Sequence, residues 1–131
     1  MSTMADGIAV GSPGEVPFEL IRARVDDVVT VSEEALSRGL LYCMERAKLV
    51  VEPAGGAGVA ALLEEPHAFE PPVVVVLTGG NVDPLLLLRV LRHGLAAAGR
   101  YLSFRLRIPD KPGALARLLS ELAAADANVL E

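Results

Sequence analysis

The order of apolar and polar positions predicts two strand–helix pairs followed by a third, shorter one. Residues 28–31 are a β-branched run with the length of a strand. Ser32 follows as a helix N-cap, and Glu33 and Glu34 stand in the first turn, where the helix dipole favours negative charge. The apolar stripe of this helix is Leu36, Leu40, Cys43, Met44 and Ala47. We expect the helix to end near position 51, because Pro53 blocks its continuation.

The second pair follows a glycine-rich connection and a short helix of small residues at 59–64. Residues 73–77 are apolar on both faces, which is typical of a central parallel strand covered by helices on both sides. Residues 78–81 form a turn, and Asp83-Pro84 opens a helix that runs to about position 98. The two pairs predict an α/β fold with an open, mostly parallel sheet and helices on both faces.

The pattern of apolar positions predicts secondary structure less clearly at the two ends of the chain. The first twenty residues are rich in glycine and proline and are predicted to be a loop, with a short helical turn or two at 18–25. Residues 101–108 alternate with period two, residues 114–125 have a helical apolar stripe, and residues 129–131 look like the start of another strand. We therefore divide the chain into residues 1–99 and residues 100–131.

Composition and charge narrow the function classes. The net charge is −5, which argues against binding to nucleic acid or an anionic membrane because neutralising phosphates takes a surplus of Lys and Arg. No stretch is predicted to span a membrane, and the one cysteine suits a reducing cytoplasm. Hydrophobic residues make up 52% of the chain, and the mean hydropathy is +0.43. This is high for a free monomer of 131 residues, so we expect some of the surface to meet another surface.

Two glycine-rich turns are the candidates for chemistry. Thr78-Gly79-Gly80 would end a strand, where open α/β sheets bind ligands, but the spacing alone favours a tight turn that needs glycine. Residues 53–58 could bind an anion or let two helices pack closely, and packing is the better interpretation. Glu52, next to these residues and after two valines, needs a partner. No nucleophile–base pair and no metal motif is present in the sequence, so we expect no metal site.

Four collinear segments carry a resemblance to a known family. They are residues 3–10 (TMADGIAV), 25–33 (VDDVVTVSE), 45–55 (ERAKLVVEPAG) and 77–83 (LTGGNVD). In this order and spacing they resemble the C-terminal part of the threonine ammonia-lyase (threonine dehydratase) family. Serine racemase and serine dehydratase are similar over the same region.

The resemblance implies the type II pyridoxal-phosphate (PLP) fold and PLP as cofactor. It assigns Thr78 the hydroxyl that faces the pyridine nitrogen, and it places Glu52 near the cofactor and Gly7 in a loop over the ring. A neutral hydroxyl leaves that nitrogen largely unprotonated, which suits β-elimination. The implied reaction releases ammonia and 2-oxobutanoate from L-threonine, or pyruvate from L-serine.

The tail resembles the opening β-α-β of an ACT regulatory domain, here incomplete. The resemblance implies an amino-acid effector near Asp110 and Gly113, and a homo-oligomer. The alternative function is therefore a non-enzymatic module that binds an amino acid such as isoleucine or valine. The ACT appendage also favours threonine ammonia-lyase over serine racemase.

The sequence departs from the family pattern at the lysine that binds PLP covalently. The family's Schiff-base lysine belongs to a Ser-Phe-Lys-x-Arg-Gly-Ala type of motif that this sequence lacks, and its two lysines, Lys48 and Lys111, match other positions. We therefore expect a chain truncated at both ends, by nature or by a misassigned start, that is inactive alone and associates through exposed apolar surface.

Overall fold

The structure is a computed structural model that describes residues 3–129. Five α-helices form the framework of this part of the chain. The helices are α1 (Glu15–Arg24), α2 (Glu33–Tyr42), α3 (Ala57–Glu64), α4 (Pro84–Ala97) and α5 (Ala114–Ala124). Three short turns accompany them: 3-10 turns at Asp6–Ile8 and Ala54–Gly56, and a π-helical turn at Cys43–Ala47. The predicted helices at 33, 59, 84 and 114 are confirmed, whereas α1 begins three residues earlier than expected, and α2 with its π-helical turn ends at Ala47 rather than near position 51.

The ends of α2 and α4 show why helices form there. Ser32 Oγ accepts a hydrogen bond from the Ala35 N–H at 3.0 Å, as the sequence predicted for an N-cap. Asp83 Oδ1 does the same for the N–H groups of Leu85 and Leu86, at 2.8 and 3.0 Å, with Pro84 in the first turn. Each cap satisfies N–H groups that the first turn leaves without a carbonyl partner.

The core lies around α2, which packs against both α3 and α4. One buried cluster is Ala5, Ala35, Leu36 and Ala60, and a second is Leu40, Cys43, Val51 and Val90. Small residues allow close crossings: a Cβ on Gly39 would lie 3.0 Å from the Ala60 nitrogen, and one on Gly94 would lie 2.6 Å from the Ser37 carbonyl oxygen.

The predicted sheet is wrong for the described residues. Residues 28–31, 73–77 and 101–108 have the expected apolar patterns, yet no hydrogen-bonded strand is present between residues 3 and 129. A pattern of burial reports only which side chains face a core, whereas a strand also needs a neighbour with which to exchange backbone hydrogen bonds. The open, mostly parallel sheet with helices on both faces is therefore not the architecture of residues 3–129.

The tail is a helix beside a segment without regular structure. A groove of about 740 Å³ is lined mainly by leucines of α5, by residues 100–104 with Leu106, and by residues 127–129. Of the two strands expected for the ACT-like piece, the one at 101–108 is absent, and the one at 129–131 falls largely on Leu130 and Glu131, outside the described residues. The division of the chain at 99–101 stays a prediction.

Much apolar surface faces outward. Val74, Leu102, Val76 and Val28 are 88%, 78%, 74% and 73% exposed. No helix within the described residues is both long and apolar enough to cross a lipid bilayer.

Candidate functional site

The candidate site begins where two loops cross, at Glu52 and Gly79. The Glu52 N–H donates to the Gly79 carbonyl oxygen at 3.1 Å. Gly79 has a φ of +67°, and a Cβ at this position would overlap the Glu52 carboxylate. Position 79 therefore requires glycine for two reasons. The backbone has a positive φ, and the Glu52 side chain occupies the space that a Cβ would fill.

A second close approach joins the same two loops. A Cβ on Gly55 would overlap the carbonyl group of Thr78, and one on Gly80 would lie 3.3 Å from the Val50 carbonyl oxygen. Gly56, in the same segment as Gly55, meets the Leu40 side chain. The glycines of this segment therefore serve close packing, as the sequence favoured. The sequence analysis missed that the Gly55 contact is with Thr78.

Gly7 completes the site. A Cβ on Gly7 would lie 3.1 Å from Ala54 Cβ and 3.8 Å from Glu52 Oε1. The turn Asp6–Ile8 thus rests on the loop that carries Glu52. The structure therefore brings together three residues that the sequence analysis singled out from distant segments, and we call Gly7, Glu52, Thr78 and Gly79 the crossover site.

The crossover site offers two polar side chains that the protein does not use. Thr78 is exposed and Glu52 is half-buried. Between residues 3 and 129, neither the Thr78 hydroxyl nor the Glu52 carboxylate has a hydrogen-bond partner on another side chain or on the backbone. A hydroxyl can donate and accept, whereas a carboxylate accepts only. The crossover site therefore carries one hydroxyl and one carboxylate without partners among the described residues.

The Lys48 side chain makes its hydrogen bond outside this site. Lys48 has a φ of 58° at the end of the π-helical turn, and its Nζ donates to the Glu45 carbonyl oxygen at 2.7 Å. Lys111 lies in the turn that precedes α5. No group of three His, Cys, Asp or Glu side chains that could hold a metal ion occurs among the described residues.

The predicted effector residues lie apart from the tail groove. Gly113 has a φ of +83° and caps α5, and Asp110 is exposed in the same turn. Neither residue lines the groove between α5 and residues 101–106. Their role in binding an effector stays a prediction.

Two pKa shifts lie outside the crossover site and report on packing. Burial raises the pKa of the Cys43 thiol, in keeping with its predicted place in the core. Hydrogen bonds from the Ser32 hydroxyl and then the Ser32 N–H lower the pKa of Glu64. The Ser32 N–H lies 3.2 Å from Glu64 Oε2, so this carboxylate ties the end of α3 to the start of α2.

Comparison with known proteins identifies the family. The family model described as pyridoxal-phosphate dependent enzyme matches residues 1–79, and the chain belongs to this family. The L-threonine ammonia-lyases of Thermotoga maritima and Geobacter sulfurreducens are 42% and 47% identical to it over 128 residues, which are 98% and 97% of this chain. The resemblance to threonine ammonia-lyases is thus confirmed.

The matches also show how much of each relative this chain covers. It spans 32% of the length of each of those two curated relatives. The crystal structure of a T.th. threonine deaminase matches with 43% identity and a TM-score of 0.60, over 63% of this chain and 30% of that chain. The likeness therefore concerns about a third of each larger protein.

Proposed function

We propose that this chain carries the crossover site as one wall of the PLP pocket of an L-threonine ammonia-lyase, which deaminates L-threonine and, as a second substrate, L-serine. The observation that carries the proposal is the meeting of Gly7, Glu52 and Thr78, with two unused polar side chains, in a chain of the PLP-dependent family. The names of the two relatives support the reaction.

The residues present fit the cofactor chemically. PLP, when bound, supplies the electron sink that removal of the substrate hydroxyl requires. Thr78 is exposed, and its neutral hydroxyl would donate a hydrogen bond to the pyridine nitrogen of bound PLP. A carboxylate at this position would favour a protonated ring nitrogen instead. Gly7 packs closely against Ala54 because it has no side chain, and the Glu52 N–H holds the Gly79 carbonyl group at 3.1 Å.

We assign neither lysine a covalent role. Lys48 donates to the Glu45 carbonyl group, and the Schiff-base motif does not occur in the sequence. On this proposal the chain binds PLP without a covalent anchor and does not catalyse deamination by itself.

The remaining proposals concern the oligomeric state, the cellular location and the ligands. We infer a homo-oligomer in the cytoplasm, with a small amino acid as substrate or effector, and no nucleic-acid or membrane partner. The net charge of −5 argues against a nucleic-acid or membrane partner, and the free, buried Cys43 suits a reducing cytoplasm. The regulatory role of the ACT-like tail, through Asp110 and Gly113, belongs to the same proposal.

A PLP titration of the full chain tests the proposed site. We expect a saturable change in PLP absorbance, weakened by Thr78→Val, which removes the hydroxyl at nearly constant volume. Ser103→Val is the matched control, because Ser103 is an exposed hydroxyl residue in the tail. Borohydride treatment followed by peptide mapping should find no modified lysine. Absence of PLP binding, or equal binding by the Thr78 variant, would contradict the assignment, and stoichiometric modification of Lys48 would show that the chain has its own anchor.

A chimera tests the proposed reaction. The 128 residues of the Thermotoga maritima enzyme that align with this chain are replaced by this chain, and release of 2-oxobutanoate from L-threonine is measured. We expect activity that falls with Thr78→Val but not with Ser103→Val. A folded chimera that binds PLP but does not deaminate threonine would contradict the proposed reaction but not the proposed cofactor site.

A further inference from the structure

One carboxylate ties the segment before Gly7 to the first turn of α2. The Thr3 hydroxyl donates to Glu33 Oε1, and the Met4 N–H donates to Glu33 Oε2 at 3.0 Å. The Ala5 N–H in turn donates to Thr3 Oγ1 at 3.1 Å. The two oxygens of Glu33 thus fix three consecutive residues, two directly and one through the Thr3 hydroxyl.

Apolar packing gives the same segment a single place on α2. Ala5 is 2% exposed and packs with Ala35, Leu36 and Ala60. Met4 contacts both core clusters, and its sulfur lies 3.5 Å from the Ser37 hydroxyl oxygen. Polar and apolar contacts therefore hold the segment together.

The fixed segment leads directly into the crossover site. The Ile8 N–H donates to the Ala5 carbonyl oxygen at 3.1 Å, which closes the turn Asp6–Ile8. Gly7 lies inside this turn, with its α-carbon facing Ala54 and the Glu52 carboxylate. Only two residues separate Met4 from Gly7, and one of them, Ala5, is buried and accepts the hydrogen bond that closes the turn around Gly7.

We propose that Glu33 is a positioning residue of the candidate PLP site: it anchors residues 3–5 on α2 and thereby holds Gly7 against Glu52. This proposal rests on the proposed function, because the consequence for a cofactor requires that one binds there. A carboxylate suits the task, since it accepts two hydrogen bonds and charge strengthens both. From its position at a helix start the sequence predicted for Glu33 only a favourable charge, and Glu34 fits that description equally well.

The neighbouring glutamate provides the matched control. Glu34 shares the first turn and the charge of Glu33 but has no hydrogen bond or ion pair through its side chain within residues 3–129. Amide hydrogen exchange of the full chain without cofactor tests the anchor. Loss of charged hydrogen bonds of this kind predicts roughly tenfold faster exchange at Ile8 and Ala9 in Glu33→Ala. Glu34→Ala should leave these amides, and those of α4, unchanged.

A conservative variant keeps the test decisive if Glu33→Ala unfolds the chain. Glu33→Gln retains the length of the side chain and one acceptor oxygen, so we expect an exchange rate between those of wild type and Glu33→Ala. Wild-type exchange at Ile8 in both Glu33 variants would overturn the proposed anchor.

PLP titration of the same variants tests the consequence for the site. We expect affinity lower by roughly tenfold in Glu33→Ala, partial recovery in Glu33→Gln and wild-type affinity in Glu34→Ala. Faster exchange with wild-type PLP affinity in Glu33→Ala would overturn the positioning role alone. Equal weakening by Glu34→Ala would overturn it too, because charge in the helix turn would then explain the effect. A wild-type chain that binds no PLP would instead overturn the proposed function.

Discussion

At the scale of single residues, the crossover site is shaped by the absence of side chains. Gly55 lets one loop reach the Thr78 carbonyl group, and Gly79 leaves space for the Glu52 side chain. The sequence predicted that the glycines near position 55 serve packing, because no phosphate-binding spacing is present. It could not predict the partner, since contact between positions 55 and 78 depends on how the intervening helix folds back. The resemblance to a family, rather than the residue pattern, selected Gly7.

Substitution of Gly55 tests this contact. A Cβ would overlap a carbonyl group that cannot move without shifting the Thr78 loop, so we expect Gly55→Ala to lower the free energy of unfolding by about 3–5 kcal/mol. Gly11→Ala is the control: no atom lies within 4 Å of its added Cβ, and a change within about 0.5 kcal/mol is expected. Urea unfolding followed by circular dichroism measures both. Similar stability of the two variants would show that the loops do not meet at Gly55.

At the scale of elements, the helix caps were predicted correctly from the sequence, whereas contacts between distant segments were not. Ser32 and Asp83 cap their helices as expected, because a cap depends on residues two or three positions away. The apolar run at 73–77 was interpreted as a strand, yet strand formation depends on a neighbour far along the chain or on another chain. The Ser32 cap shows the same limit, because its bond to Glu64 spans 32 positions and was not foreseen.

The Ser32–Glu64 contact makes a prediction about pH. Hydrogen bonds from Ser32 lower the pKa of Glu64 in the folded chain, so the ionised form is the one that stabilises the fold. This contribution is fully present above the ordinary glutamate pKa and is lost as the pH falls through the lower, folded-state value. In urea unfolding we therefore expect Glu64→Gln to be less stable than wild type at neutral pH and equally stable in strong acid. Glu65→Gln, which lacks the Ser32 contact, should follow wild type at every pH, and a difference between wild type and Glu64→Gln that does not change with pH would contradict the linkage.

At the scale of the whole molecule, the outward apolar surface is the dominant feature. Val75 and Leu77 face inward, toward Gly58 and the second core cluster, whereas Val74 and Val76 alternate with them and face outward. Within the described chain, the backbone groups of residues 73–78 make no hydrogen bond to other backbone groups. Exposed valines beside unpaired backbone groups favour pairing with another strand.

This surface predicts how the chain associates. Residues 73–77 carry no charge, whereas the exposed apolar residues at 102, 104 and 106 alternate with Arg105 and Arg107, which oppose strand pairing. We therefore expect concentration-dependent association in sedimentation velocity, reduced more by the pair Val74→Lys and Val76→Lys than by Leu102→Lys and Phe104→Lys. Binding of a dye specific for apolar surface should fall in parallel. A monodisperse wild-type monomer without dye binding would contradict the prediction, and a larger effect of the tail variants would place the contact on the groove beside α5 instead.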